Sequence, residues 1–503
     1  MTIYNINLGI GWASSGVEYA QAYRYKVFNR LGEDSKFVFM DFISSENISD
    51  LTRNIGFADK DVIWLYTHFT DQKIAPTTFT LSQLRELYAG QITQEETVGT
   101  NIVRLYYAEE DTFLTAYLKK DSEDIVHRVE FVSRGILIRK DYFTYVRSFS
   151  EYYSAKDGQA HLYQRRFFNE DGTVAYDELL SEDNKNSMFL FDGLVLYSKE
   201  ELVSHFMQTL SLTEKDIVIL DRETGIGQSI FTHVKPAKLG VVIHAEHYSA
   251  NHVTESTILW NNYYEYQFTN ADKVDFFIAA TKRQKEVVEA HFEKFTTMRP
   301  YVVDIPVGSL EHLSKPEVPR KPFSIVTASR LAVEKHIDWL TKAVIAAKEV
   351  LPELTLDIYG EGTQRGLVSN IIREASAESY IQLKGHQNLD EVYPKYEVYL
   401  SASKSEGFGL TLLEAIGAGL PIIGFDVPYG NQTFIREGEN GYLIPVSVND
   451  DEFEIQEAFK EAIIKLFTSN QLDKMHHVSY EIASQYLTEK VEEKWRQLIK
   501  EMA

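Results

Sequence analysis

The ten residues Glu406-Gly407-Phe408-Gly409-Leu410-Thr411-Leu412-Leu413-Glu414-Ala415 constrain this chain more than any others. An apolar run, Val398 to Ser403, precedes them and reads as a strand. Leu410, Leu413 and Ile416 follow at a spacing of three, until Gly417, Gly419 and Pro421 break the period. A strand therefore ends, a Gly-x-Gly turn follows, and a helix begins. Gly407 and Gly409 let the backbone approach a ligand closely. The free N–H groups and the dipole at the helix start suit an anion such as a diphosphate. Glu406 stands before the turn and Glu414 inside the helix, roughly 7 Å along its axis from Gly409. Two carboxylates flanking an anion site suit a ligand with hydroxyls at both ends and phosphates between, as in a nucleotide sugar. The residues alone equally allow a buried glycine turn with two solvated glutamates.

The ten residues match, without a gap, the Glu-x7-Glu signature of retaining glycosyltransferases of family 4, which they closely resemble. The resemblance implies an α/β fold with two facing Rossmann-like domains (GT-B) and the donor in the C-terminal one. It implies that Glu406 contacts sugar hydroxyls and Glu414 the ribose. It also implies that backbone around Gly407, Phe408, Gly409 and Leu410 holds sugar and phosphate.

A chain of 503 residues is expected to form two or three domains. With 44% hydrophobic and 25% charged residues it is globular. No cysteine is present, which excludes disulfides and thiolate metal sites and suits a reducing cytoplasm. No basic, apolar and small-residue start marks a secretory signal, and no uncharged apolar run is long enough to span a bilayer. The net charge of −23 argues against nucleic acid as a general partner. The expected location is the cytoplasm; composition gives no support for peripheral association with the inner face of the cell membrane, which stays open.

Thr2 to Leu8 reads as a first strand, Gly9 to Gly16 as a glycine- and serine-rich turn, and Val17 to Leu31 as a helix. The glycines do not form Gly-x-Gly-x-x-Gly, so a plain strand–helix connection is an equal reading. By resemblance, Gly16 faces the donor phosphates. His68 follows the strand Val62 to Thr67, and a lone histidine there is more often structural. From about Phe79 to Tyr197 short strands alternate with turn signals such as Asp157-Gly158 and Asp171-Gly172. No long helical period interrupts them, so an antiparallel β-meander is expected as an insertion in the N-terminal Rossmann-like domain. The α/β texture returns near Lys199. A stiff, proline-rich linker, Ser314 to Pro322, precedes a second run of strand–helix units.

The expected division is residues 1–75 and 206–315 for an acceptor-side Rossmann-like domain and 76–205 for the insertion, binding acceptor or partner. Residues 316–480 form the nucleotide-sugar domain, and 481–503 a C-terminal helix crossing back to the N-terminal domain.

Arg330 leaves a strand end and Lys335 lies five residues on. Two cations at the carboxyl edge of a parallel sheet suit a diphosphate leaving group. They match the phosphate-binding Arg and Lys of the family in order and spacing. His386, after the strand ending at Lys384, is assigned to the uracil side through its backbone. By resemblance His244, at the end of Gly240 to His244, faces the donor and is the catalytic candidate outside the donor domain; a core histidine is the alternative. No Asp-x-Asp and no metal-spaced cluster stands out, so neither metal nor cofactor is expected.

The whole-chain pattern is narrower: an early Gly-rich loop, a long meander insertion, Arg330 and Lys335, then Glu406 and Glu414. It resembles the GtfA subunits of bacterial UDP-N-acetylglucosamine:peptide N-acetylglucosaminyltransferases over essentially the full length. That implies O-linked transfer from UDP-GlcNAc to Ser and Thr of a serine-rich adhesin, together with a GtfB-like partner subunit. The alternatives are a wall teichoic acid N-acetylglucosaminyltransferase and a non-catalytic acceptor-binding or chaperone subunit. Residues 72–203 carry 22 Asp and Glu against 15 Lys and Arg, a net of −7, which disfavours a polyanionic acceptor.

Overall fold

The computed structural model describes the chain from Met1 to Ala503 except Ala13, Ser14, Glu109, Glu110, Asp157 and Val448. Ala13 and Ser14 of the first loop and the Asp157 half of the expected Asp157-Gly158 turn therefore lie outside the described residues. The chain forms two compact units, one of residues 1–25 and 33–239 with Ala503, the other of residues 26–32 and 240–502.

In the first unit, four parallel strands run in the order Ile217–Leu220, Ile3–Asn7, Ser35–Phe39 and Val62–Trp64. They are short and mostly buried, as strands covered on both faces must be. Helix Gly16–Leu31 follows Ile3–Asn7. His68, past Val62–Trp64, packs edge-on to Phe206 at 4.7 Å, with Nε2 2.8 Å from Thr209 Oγ1. Burial holds its pKa below the usual histidine value. It is a structural ring.

The rest of this unit is a ten-stranded antiparallel meander from Ile92 to Leu196, each strand pairing with the next in sequence. Two rows of side chains cross it. One is aromatic: Tyr142, Phe149, Phe167 and Tyr176 sit opposite one another, stacked at 4.4 Å at each end of the row. The next row is ionic and alternates in sign: Glu130, Lys140, Glu151, Arg165 and Glu178. Arg165 lies 3.1 Å from Glu151 and 3.0 Å from Glu178, both almost fully buried. Stacked pairs and opposite charges across strands are what stabilise so wide a sheet.

The turns differ in places from the expected ones. Tyr142 to Phe149 reads as one strand, but the chain turns at residues 144–146, joining Ile136–Phe143 to Arg147–Lys156. The strands Ile92–Thr97 and Val174–Leu180 were not anticipated.

The second unit holds three parallel strands in the order Lys238–Ile243, Phe276–Ala279 and Val302–Asp304. It also holds a six-stranded parallel sheet in the order Ile381–Gly385, Thr355–Tyr359, Ser324–Ala328, Val398–Ser401, Ile422–Phe425 and Gly441–Ile444. The order reverses between Ser324–Ala328 and Val398–Ser401, and in doubly wound sheets the crevice beyond that point takes the ligand. The proline-rich segment before this sheet is tied along its length. Ser314 N–H donates to Gly417 O, Lys321 N–H to Lys395 O, and the Arg320 guanidinium to Pro394 O, Tyr396 O and Ala418 O. The last helix, Thr488–Met502, sets Trp495 edge-on against Phe28 at 5.0 Å. Among the described residues no helix is long and apolar enough to cross a membrane.

Candidate functional site

The site is built at the reversal of strand order. Strand Ser324–Ala328 delivers the loop with Arg330 and a single 3-10 turn, Val333–Lys335. Strand Val398–Ser401 delivers the turn with Glu406 and then helix Leu410–Gly417. Tyr399 ties the two strands at this edge: its hydroxyl is 2.8 Å from Ala328 O and 3.1 Å from Thr411 Oγ1.

Gly409 sits at the helix N-terminus with φ +85°, a left-handed conformation that a side chain resists. Gly407 is needed for space: a Cβ there would lie 2.4 Å from the carbonyl oxygen of His244. The Glu406 carbonyl accepts hydrogen bonds from the N–H groups of Tyr429 (2.9 Å) and Gly430 (2.8 Å), so a third strand-end loop braces the turn.

The predicted charged residues separate into distinct roles. Lys335 Nζ lies 2.9 Å from Glu406 Oε2, and both side chains are mostly shielded. Arg330 turns instead to Glu334, at 2.8 Å, and is 65% exposed, so it is free to swing at small cost. Glu414 lies on the helix, within 3.4 Å of the Tyr393 hydroxyl. Burial, reinforced by the charge of Asp390, pushes its carboxyl up to about 7. His386 is exposed just past the Ile381–Gly385 strand. The Gly360-Glu361-Gly362 loop closes on the Arg330 loop, with Leu331 N–H donating to Glu361 O at 2.9 Å.

His244 ends the Lys238–Ile243 strand in the same unit, partly buried, its carbonyl against Gly407. Its backbone N–H and that of Ala245 both donate to the Tyr264 hydroxyl at 3.0 Å. Gln284 Nε2 donates to Ala245 O at 3.1 Å. The geometry therefore brings together Lys335, Glu406, Gly407, Phe408, Gly409, Leu410 and the His244 backbone.

Gly16 belongs to the other unit, where it opens its helix; nothing lies within 4 Å of the position a Cβ would take. The loop before it is anchored by Arg222, whose guanidinium donates to Ser15 Oγ and Glu18 Oε1, each at 2.8 Å.

Sequence reasoning missed Tyr264, Gln284, Tyr393, Tyr399 and Tyr429 as supports. Each acts through one hydroxyl or amide on a partner remote in sequence or on the opposite side of a turn, and leaves no local pattern. Pairing Ala245–Tyr248 with the Glu406 turn would have needed knowledge of the fold.

The arrangement can bind an anion at the Gly409 helix start, neutralise it with Lys335 and a swinging Arg330, and accept hydroxyl hydrogen bonds at Glu406 and Glu414. Residues 94–193 match the GtfA extended beta-sheet domain, and residues 310–483 the glycosyl transferases group 1 family. The chain is 57% identical over 502 residues to the UDP-N-acetylglucosamine–peptide N-acetylglucosaminyltransferase GtfA subunit of Streptococcus gordonii, covering 100% of this chain and 99% of that one. It superimposes with a TM-score of 0.94, at 55% identity, on the pneumococcal O-GlcNAc transferase GtfA solved with UDP and GlcNAc, covering 100% of this chain and 99% of that one. A GtfA/B complex gives 0.95 at 56% identity, with the same coverage.

Proposed function

The chain belongs to the family of GtfA subunits of UDP-N-acetylglucosamine–peptide N-acetylglucosaminyltransferases, and from that membership we propose its acceptor, partner and residue roles. It is a glycosyltransferase of the GT-B class. It moves N-acetylglucosamine from UDP-GlcNAc to Ser and Thr hydroxyls of a serine-rich surface adhesin, and a GtfB-like partner contributes to acceptor binding. It works in the cytoplasm, with peripheral attachment to the inner face of the membrane as the finer expectation. No metal is needed, because Lys335 and Arg330 supply the charge that a cation would.

The observation that carries this reading is the Lys335–Glu406 pair beside the Gly409 helix start, at the reversal of the six-stranded sheet. UDP phosphates lie at the helix start, Glu414 takes the ribose diol, and the base lies by His386. Glu406 holds sugar hydroxyls while Lys335 leans from it to the leaving phosphate. The bond from the anomeric carbon to the phosphate oxygen breaks, and the acceptor oxygen bonds to that carbon on the same face. The acceptor proton passes to the departing phosphate, which Arg330 and Lys335 stabilise. His244 contacts the transferred sugar.

The test is incubation with labelled UDP-GlcNAc and either a Ser/Thr-rich peptide or teichoic acid, with and without the partner. Label on peptide supports the reading. Label on teichoic acid alone overturns the acceptor. Peptide binding with no transfer under any condition assigns a chaperone role instead.

A further inference from the structure

Behind the Glu406 turn lies a chain of three side chains, Tyr429 and His247 buried and His291 half-buried. The Tyr429 hydroxyl is 3.1 Å from His247 Nδ1, and His247 Nε2 is 3.0 Å from His291 Nδ1. His247 is 0% exposed and packed among the rings of Tyr248, Trp260 and Phe268. Burial, with the neighbouring His291, drives its pKa down to about 3, so the ring is neutral. A neutral imidazole has one donor and one acceptor nitrogen. Hydrogen bonds on both sides are then satisfied only if the chain runs one way throughout. Either Tyr429 donates to His247 and His247 to His291, or each bond is reversed. His247 is fastened at both ends in either case.

What it fastens is the reacting region. Tyr429 is the residue whose N–H, with that of Gly430, holds the Glu406 carbonyl. His247 is three residues past His244, whose carbonyl touches Gly407. Gln284 and His291, seven apart on helix Lys282–Phe295, share a face and grip the same loop at Ala245 and His247. The loop of His244 and the turn of Glu406 are thus joined directly at Gly407, and again through His247 and Tyr429.

We infer that His247 is a positioning residue for sugar transfer: through the Tyr429 hydroxyl it sets the Glu406 turn against the His244 loop. This rests on the donor-site reading above. A misplacement of about 1 Å at such a turn costs about a hundredfold in rate.

The test uses the full chain with its partner. His247→Phe and Tyr429→Phe are each expected to lower kcat at least tenfold per folded molecule, with the Kd for UDP within twofold of wild type. The double variant loses no more than the worse single one, since both cut one connection. His247→Asn, which can offer a polar atom near the Nδ1 position, recovers at least threefold over His247→Phe; His247→Gln, reaching only toward His291, does not. A kcat within twofold of wild type in both phenylalanine variants, or losses confined to Tm, overturns the inference. So does full additivity in the double variant. Failure of the wild type itself to bind UDP removes the donor-site reading instead, and is distinguishable by calorimetry before any variant is made.

Discussion

Lys335 Nζ and Glu406 Oε2 stand 2.9 Å apart across the two strands at which the order of the six-stranded sheet reverses. The pair holds a cation at the mouth of an anion site without leaving either charge unpaired. On this basis Glu406→Gln keeps the fold but loses the negative charge that pairs with Lys335 and one of the two oxygens that accept from hydroxyls. Transfer is expected to fall about a hundredfold, the cost of one group that stabilises a transition state electrostatically. Tm moves by only a few degrees, since both side chains keep some contact with water and the change removes a charge but no packing. Unchanged turnover in the sugar-transfer assay would refute the role.

Glu414 gives the site a pH response. Its carboxyl is raised to about 7 by burial and by Asp390. In the proposed role, accepting both ribose hydroxyls calls for the ionised form, so binding below pH 7 must first expel a proton. The Kd for UDP-GlcNAc, followed by calorimetry, is expected to weaken as pH falls from 8 to 6, approaching tenfold per unit at the acid end. Glu414→Gln binds more weakly and flattens that slope. An identical slope in the variant would remove Glu414 from the ribose.

The glycines divide by what surrounds them. Gly407→Ala puts a Cβ into the His244 carbonyl, backbone against backbone, and is expected to cost about 1–3 kcal/mol of stability as well as activity. Gly16→Ala meets nothing within 4 Å, so Tm is unchanged or slightly higher. Any rise in the KM for UDP-GlcNAc in Gly16→Ala then reports the ligand itself. Thermal melts and donor-titrated kinetics on both variants separate the cases.

The contrast between these positions shows what the sequence could reveal. Glu406 to Ala415 was legible because strand, turn and helix follow one another without interruption, and each leaves its own spacing. The central strands of the six-stranded sheet, Ser324–Ala328, Val398–Ser401 and Ile422–Phe425, were legible as buried, mostly apolar runs. Val174–Leu180 was hidden because Asp177 and Glu178 interrupt it; their partners, Arg166 and Arg165, sit on the adjacent strand. The break after Phe143 was hidden because Thr144-Tyr145-Val146 contains no turn-forming residue. Ile92–Thr97 was hidden because it is an edge strand, exposed along most of its length. His247 and Tyr429 lie 182 residues apart, and no local pattern announces their meeting.

Arg165 carries the meander's ionic row. Arg165→Met leaves Glu151 and Glu178 buried without their shared cation, and is expected to cost about 3–5 kcal/mol. Denaturant melts of the variant and the wild type measure that loss. A loss below about 1 kcal/mol would mean that Arg165 is not the tie between the two carboxylates.

That same row has a consequence for assembly of the insertion during synthesis. Sliding the strand Gln159–Phe168 by two residues would set Arg165 opposite an aromatic ring of the Arg147–Lys156 strand and part it from both Glu151 and Glu178. Each wrong alignment is penalised by electricity as well as by shape. A sheet this broad is thereby held against settling into a shifted copy of itself.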